Sequence, residues 1–342
     1  MITKNAAVDI LRAANPVATS EVAVDGRAQD DLRRILASRT ARLGSLDVQA
    51  RAASRPAPYR RLAPIFLVTA VLAAAALIGT DVLRPGGAAP AYATTPDRLV
   101  VVATADTVGL TGSPAEMLNQ IASRTATLPD DTGTGRYAKT VNESWALWTR
   151  VDGDQVTSEV VPQTYTTWVA ADGSGRSITT RNRPGIEPES SDTAFGPDEH
   201  SLMWPLGSIS SDDTTLAGQL EQAHPVANGP AERLVAITDL VREQPLTPAV
   251  RAAVLRYLAR TPGLAVDGIV TDRAGRRGIA VQVDTGMSGL PERRTLIIDP
   301  HDGRILGSET VLTEDAGALN VRIPSVIGYT TFRSADYVNQ ID

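Results

Sequence analysis

Residues 268–283 read GIVTDRAGRRGIAVQV. β-Branched residues stand on both sides of the DRAGR at 272–276, and that punctuation has the chemistry of a tight chain reversal. Asp272 can accept from backbone N–H groups two residues on, and Gly275 supplies the positive φ that a reversal needs. The stretch therefore predicts a β-hairpin. Beyond the turn, Ile279, Val281 and Val283 alternate with Ala280 and Gln282, the period of a strand with one face packed and one exposed.

The same punctuation recurs along the chain. DGSGR at 172–176 separates β-prone runs at 164–170 and 177–180. DPHDGR at 299–304, one residue longer, separates 296–298 from 305–306, and Asp152-Gly153 is a shorter version. Asp-rich turns also invite a calcium reading. An EF-hand, however, needs alternating acids, a central glycine and a distant glutamate, which none of these turns has. Tight hairpins are the expectation.

Helical patterns fill the spaces between. Ser113 caps a predicted helix over 114–126, with Met117, Leu118 and Ile121 on one face. A short helix is predicted over 216–223, and another over 230–242 gathers Leu234, Ile237, Leu240 and Val241. Thr247-Pro248 opens a third, to about Arg260, with Val250, Val254, Leu255 and Leu258 inward. A short strand over 99–103 and a last one over 322–332 complete the pattern. Strands, helices, then strands, without βαβ alternation, predict an α+β fold: a curved antiparallel sheet of hairpins with packed helices, of half-barrel kind. Residues 181–215, rich in Pro, Gly, Ser and Asp, break the pattern and read as an irregular loop, either a lid or mobile segment or a surface excursion pinned by Trp204.

Upstream, a run that opens at Leu62 and ends at Thr80 contains no charged residue. At about 1.5 Å per residue it is roughly 28 Å long, near the ~30 Å of a bilayer's hydrocarbon core. The lipid bilayer is thus the expected partner of 62–80. About sixty residues precede this run, more than the ~15–30 of a signal peptide, so a retained anchor is expected, and the AYA at 91–93 reads as linker. Before Leu62 the chain carries 11 basic and 6 acidic residues; from there on it carries 22 and 33. Arg51, Arg55, Arg60 and Arg61 crowd the run's N-terminal side, which predicts an N-terminus inside and a C-terminal domain outside. The expected organisation is a cytoplasmic tail (1–61), a transmembrane helix (62–83), a Pro/Gly/Ala spacer (84–95) and an extracytoplasmic domain (96–342). Within the tail, 29–43 places Leu32, Ile35, Leu36 and Leu43 on one face. Such a helix is either a surface element of a loose tail or a docking helix for a cytosolic protein.

The chain has no cysteine, which removes disulfides, thiolate zinc sites and thiol nucleophiles. Its acidic outer part argues against nucleic acid as a partner. His200, His224 and His301 form no HExxH pair and read as surface or capping residues. The GMSG at 286–289 falls short of a nucleophile elbow because Leu290 stands where the last glycine should be. Asp212-Asp213 and Glu187 with Glu189 read as solvated charge. Trp145, Trp148 and Trp168 lie in predicted strands as core aromatics; stacking on a sugar is the alternative. No catalytic, cofactor-binding or metal-ligating residue is predicted, and no cofactor.

LRAANPV at 11–17, the Ala-rich span, ATTP at 93–96 and Trp168 ahead of DGSGR form a distinctive set. So do LTP at 246–248, LARTPGL at 258–264, VTDRAGR at 270–276, LIIDP at 296–300 and GRIL at 303–306. In these the chain resembles a family of actinobacterial single-pass membrane proteins commonly encoded beside extracytoplasmic-function sigma factors. The resemblance implies a regulatory role at the membrane and a sigma factor as candidate partner of residues 1–61. It carries over no catalytic residue, since the shared positions are helix caps and turns. The H-x-x-x-C-x-x-C motif of zinc-binding anti-sigma factors is absent. The expectation is a non-enzymatic regulatory or sensing protein of the cell envelope, with a membrane-tethered lipid- or lipoprotein-binding module as the alternative.

Overall fold

The computed structural model describes residues 92–342 apart from 153, 154 and 184. The predicted tail, span and most of the spacer lie outside the described residues. Among the described residues no helix is long and apolar enough to cross a membrane.

In chain order the strands are β1 (Val101–Ala103), β2 (Tyr137–Asp152), β3 (Gln155–Ala170), β4 (Gly175–Arg181), β5 (Glu189–Phe195), β6 (Ala265–Thr271), β7 (Arg277–Thr285), β8 (Glu292–Ile298), β9 (Ile305–Leu312) and β10 (Ser325–Val338). The helices are α1 (Pro114–Thr125), α2 (Asp213–Ala223), α3 (Glu232–Glu243) and α4 (Pro248–Ala259). All ten strands join one curved, unclosed antiparallel sheet, in the order β1-β6-β7-β8-β9-β10-β2-β3-β4-β5. The α+β expectation holds at this level. The last strand, β10, lies between two hairpin runs: it pairs with β9 on one side and β2 on the other.

The turns form as their residues require. Asp272 Oδ1 accepts from the N–H of Ala274 (2.9 Å) and Arg276 (2.8 Å), and Gly275 has φ 81°. Asp172 accepts from Ser174 N–H at 3.0 Å and Asp299 from His301 N–H at 2.8 Å. At the start of α1, Ser113 Oγ accepts from Glu116 N–H (3.3 Å), while the Glu116 carboxylate accepts from Ser113 N–H (2.7 Å). That reciprocal pair satisfies two of the N–H groups a helix start leaves open.

The helices cover one face of β6–β9. Leu118, Leu220, Ile237, Leu255 and Leu258 pack against Ile279, Val281 and Ile298, all at most 1% exposed. Two expectations need correction. Ala280 and Gln282 are buried, not exposed, because the opposite face is covered too. Ala280 packs with Val270, Ile297, Leu306 and Leu99, and Gln282 Nε2 donates to Asp267 at 2.6 Å. The covering segment precedes β1: Ala93 N–H donates to the Asn320 carbonyl (2.9 Å), and Leu99 N–H to Glu309 Oε1 (3.4 Å). The second correction is β5, an edge strand inside the stretch read as irregular. It pairs with β4 from Gly175↔Phe195 to Arg181↔Glu189. The polar run ESSDTAF gives no apolar alternation to announce a strand, and the neighbour's open ladder orders it instead.

Candidate functional site

Two polar clusters lie among the helices and the sheet they cover. The first occupies the place where the sheet divides. β9 stops pairing with β10 at Gly307↔Thr331, while β10 continues along β2 past an irregularity after Phe332. Arg276 bridges the opening: it donates to the carbonyls of Phe332 (2.9 Å) and Leu306 (2.8 Å), and Asp272 holds its Nε at 2.8 Å. A recess of about 250 Å³ adjoins it, bounded by the 299–304 turn, Phe332–Asp336 of β10 and the start of α4. Arg251, 6% exposed, grips Asp131 through two bonds of 2.8 and 3.1 Å and also donates to the carbonyls of Asp302 and Leu246. Arg304 adds a third bond to Asp131 at 2.6 Å. Burial pushes the Asp131 carboxyl up, but the Arg251 hydrogen bonds and the charges of Arg251 and Arg304 outweigh it. The group therefore sits below the usual carboxylate range. Arg251, Arg276 and Arg304 are engaged by protein acceptors, so this cluster acts as a joint between elements.

The second cluster is built on α2 and α3. His224 is the C-cap of α2, its N–H donating to the Leu220 carbonyl at 2.9 Å. Its imidazole lies between two carboxylates of α3. Nδ1 is 2.9 Å from Glu232 Oε1, and Nε2 is 3.5 Å from Asp239 Oδ2. Glu232 and Asp239 are seven residues apart, which puts them on one helix face. All three side chains are at most 14% exposed. Nε2 is buried without a hydrogen-bond partner among the described residues. Burial pushes the Asp239 carboxyl above its ordinary value against the pull of Arg242, bonded to it at 3.1 Å. Trp204 leans on His224 with ring centroids 5.9 Å apart. Its indole N–H donates to the Gln219 carbonyl (3.1 Å), and its own carbonyl accepts from Gln244 (3.1 Å). The predicted pin at Trp204 is thus real, and it presses on the histidine.

The remaining predicted positions are scattered. His224 is a capping residue as expected but is buried, not at the surface. His200 is half-buried against Phe195, and burial pushes its imidazole below the ordinary value. His301 is exposed in the β8–β9 turn. Asp212 and Asp213 are not merely solvated: Asp212 caps α2 by accepting from Thr215 N–H (2.9 Å), and Asp213 binds Arg256 at 2.8 Å, tying α2 to α4. Glu187 and Glu189 are exposed, as read. Of the tryptophans, Trp168 is buried at 3% and donates to Asp342, whereas Trp148 is 36% exposed beside Arg181 and Arg183. The core reading holds for Trp168 and fails for Trp148. The residues between Gly286 and Gly289 form the β7–β8 turn. Among the described residues no group of three His, Cys, Asp or Glu side chains is placed to hold a metal ion.

The sequence matches no known protein family and no curated protein. Among solved structures, the chain is similar to the complex of MucA and MucB from Pseudomonas aeruginosa, at 11% identity and a TM-score of 0.25. The match covers 67% of this chain and 59% of that one. At that score neither fold nor function is transferred.

Proposed function

We propose that this chain is a non-enzymatic regulatory protein of the cell envelope: a single-span protein whose α+β domain lies outside and whose tail engages a cytosolic protein. A sigma factor is the partner the sequence resemblance implies. The observation that supports a regulatory domain over a carrier is the filled core. A lipid- or lipoprotein-binding module of half-barrel kind needs an open apolar concavity. Here the apolar face of β6–β9 is occupied by side chains of all four described helices, and Tyr257, Leu255 and Leu258 are at most 1% exposed. The recess at the sheet's division is small, about 250 Å³, and sets Arg251, Arg304 and Asp302 among apolar residues such as Val254, Leu306 and Phe332, so an acyl chain there would desolvate charged groups.

The test is recovery of the full chain from membranes, followed by identification of what accompanies it. A sigma factor that accompanies the full chain and is lost when residues 1–61 are deleted supports the proposal. Failure to recover any sigma factor removes it. Native mass spectrometry of the outer domain, residues 96–342, that detects bound lipid would revive the carrier reading.

A further inference from the structure

We infer that His224, held between Glu232 and Asp239, is a proton-operated clasp that fastens the 196–212 segment to the helices. The inference goes beyond the regulatory reading and does not depend on it, since it concerns how the domain responds to pH whatever the partner.

The geometry requires one more proton than a neutral imidazole and two carboxylates can offer. A neutral ring has a single N–H. If that proton is on Nδ1 it serves Glu232, and the Nε2 lone pair then faces Asp239 Oδ2 at 3.5 Å. Lone pair against carboxylate is repulsive, and the site is too dry for water to screen it, with both side chains at most 14% exposed. An additional proton, taken from solvent onto Nε2 or onto Asp239, turns that contact into a donor–acceptor pair. The cluster is therefore complete when that proton is bound and one hydrogen bond short when it is not.

Other charges around the ring do not replace that proton. From α3, Arg242 takes the far oxygen of Asp239, Glu232 adds negative charge, and the Asp239 charge in turn pushes the Glu243 carboxyl up. From β8, Arg294 acts on Asp239 from a distance and is held at 2.6 Å by the buried Glu292. From α2, Glu221 is paired with Arg233 at 3.2 Å. From α4, Tyr257 contributes a buried hydroxyl without a hydrogen-bond partner among the described residues, which burial pushes up to about 12.

What the clasp holds follows from Trp204. Its ring rests on His224, and the residues around it are fastened to the same two helices. Ser210 N–H donates to Gln219 of α2 at 2.9 Å, Met203 N–H to Glu243 of α3 at 3.0 Å, and Gly207 N–H to Gln244 at 3.4 Å. Loss of the proton weakens the α2–α3 contact under Trp204, and the segment opens more often.

The experiment is hydrogen exchange on the full chain at about pH 5 and about pH 8, with each amide normalised to its intrinsic chemical rate. Protection of the 203–210 amides should fall about tenfold at the higher pH, the scale of one pKa unit of coupling. Asp239→Asn should retain protection at both pH values, because a carboxamide N–H can donate to neutral Nε2. His224→Gln should lose the pH dependence as well. His200→Gln, which alters the other histidine near this segment, should behave like the wild type. Equal protection at both pH values in the wild type overturns the inference. So does a wild-type response in either the Asp239→Asn or the His224→Gln variant, or loss of the response in His200→Gln.

Discussion

The two halves of the sheet are made by the same local rules and end in different surroundings. In β7, every residue from Gly278 to Val283 is buried. In β5, six of the seven residues are exposed, and in β4 only Gly175 is buried. Each half contains an Asp/Gly hairpin turn of the same chemistry, at 172–176 and at 272–276. The difference is cover: β6–β9 carry four helices on one face and the Leu99 segment on the other, whereas β4 and β5 form an open edge. Turn chemistry and alternation build a strand, and what lies on its faces decides how much that strand contributes to stability.

The largest test of this contrast is truncation. Leu255→Ala, at a fully buried position, should lower unfolding free energy by about 3–5 kcal/mol, while Ile178→Ala on half-buried β4 should cost about 1. Urea unfolding measures both, and similar losses would abolish the distinction. Next in size is the joint at the recess. Arg251→Met leaves Asp131 with Arg304 alone and frees the carbonyls of Asp302 and Leu246, at a cost of about 3 kcal/mol.

A finer test uses two turns that look alike in sequence. Gly275 and Gly303 have φ of 81° and 70°, so alanine is strained at either, by about 1 kcal/mol. Around Gly275 a Cβ would meet nothing within 4 Å, but at Gly303 it would lie 2.5 Å from Thr125 Oγ1 and 2.9 Å from Leu255 Cδ1. Gly303→Ala should therefore cost about 1–3 kcal/mol more than Gly275→Ala in the same unfolding assay. Equal costs would mean that the covered turn does not bear on the helices.

The smallest effects are in pH dependence, and their signs differ between the two polar clusters. Asp131 lies below its ordinary value, so its contribution is present above the unfolded-state value and is lost as pH falls through the folded one. Asp239 lies above its ordinary value, so its contribution is present below the unfolded-state value and is lost as pH rises through the folded one. Unfolding midpoints measured across pH should show Asp131→Asn flattening the acid side and Asp239→Asn flattening the side toward neutrality. The reverse assignment would undo the electrostatic reading of both clusters.

Much of the scaffold was legible because its signals are local. Ser113, Thr247 and Pro248 mark helix starts by what one side chain or ring does to its own backbone, and Asp272 and Asp299 mark turns in the same way. The clusters were far less legible. Arg251 follows Val250 on a helix and reads as an outward charge until Asp131, 120 residues away, is brought to it. Glu232 and Asp239 did carry a faint signal, since their spacing of seven places two acids on the stripe that also holds the buried Ala236. Nothing in the spacing indicated that His224 would close over them.

By itself the sequence determined the hairpins, the helices, the α+β class and the lack of thiol chemistry, because each depends on neighbours along the chain. Only the tertiary structure decided that β10 joins the two hairpin runs, that β5 is a strand, and that Ala280 and Gln282 are buried. It also decided that an imidazole and two carboxylates share one dry contact. Those outcomes depend on groups far apart in the chain, whose meeting is set by packing and not by propensity.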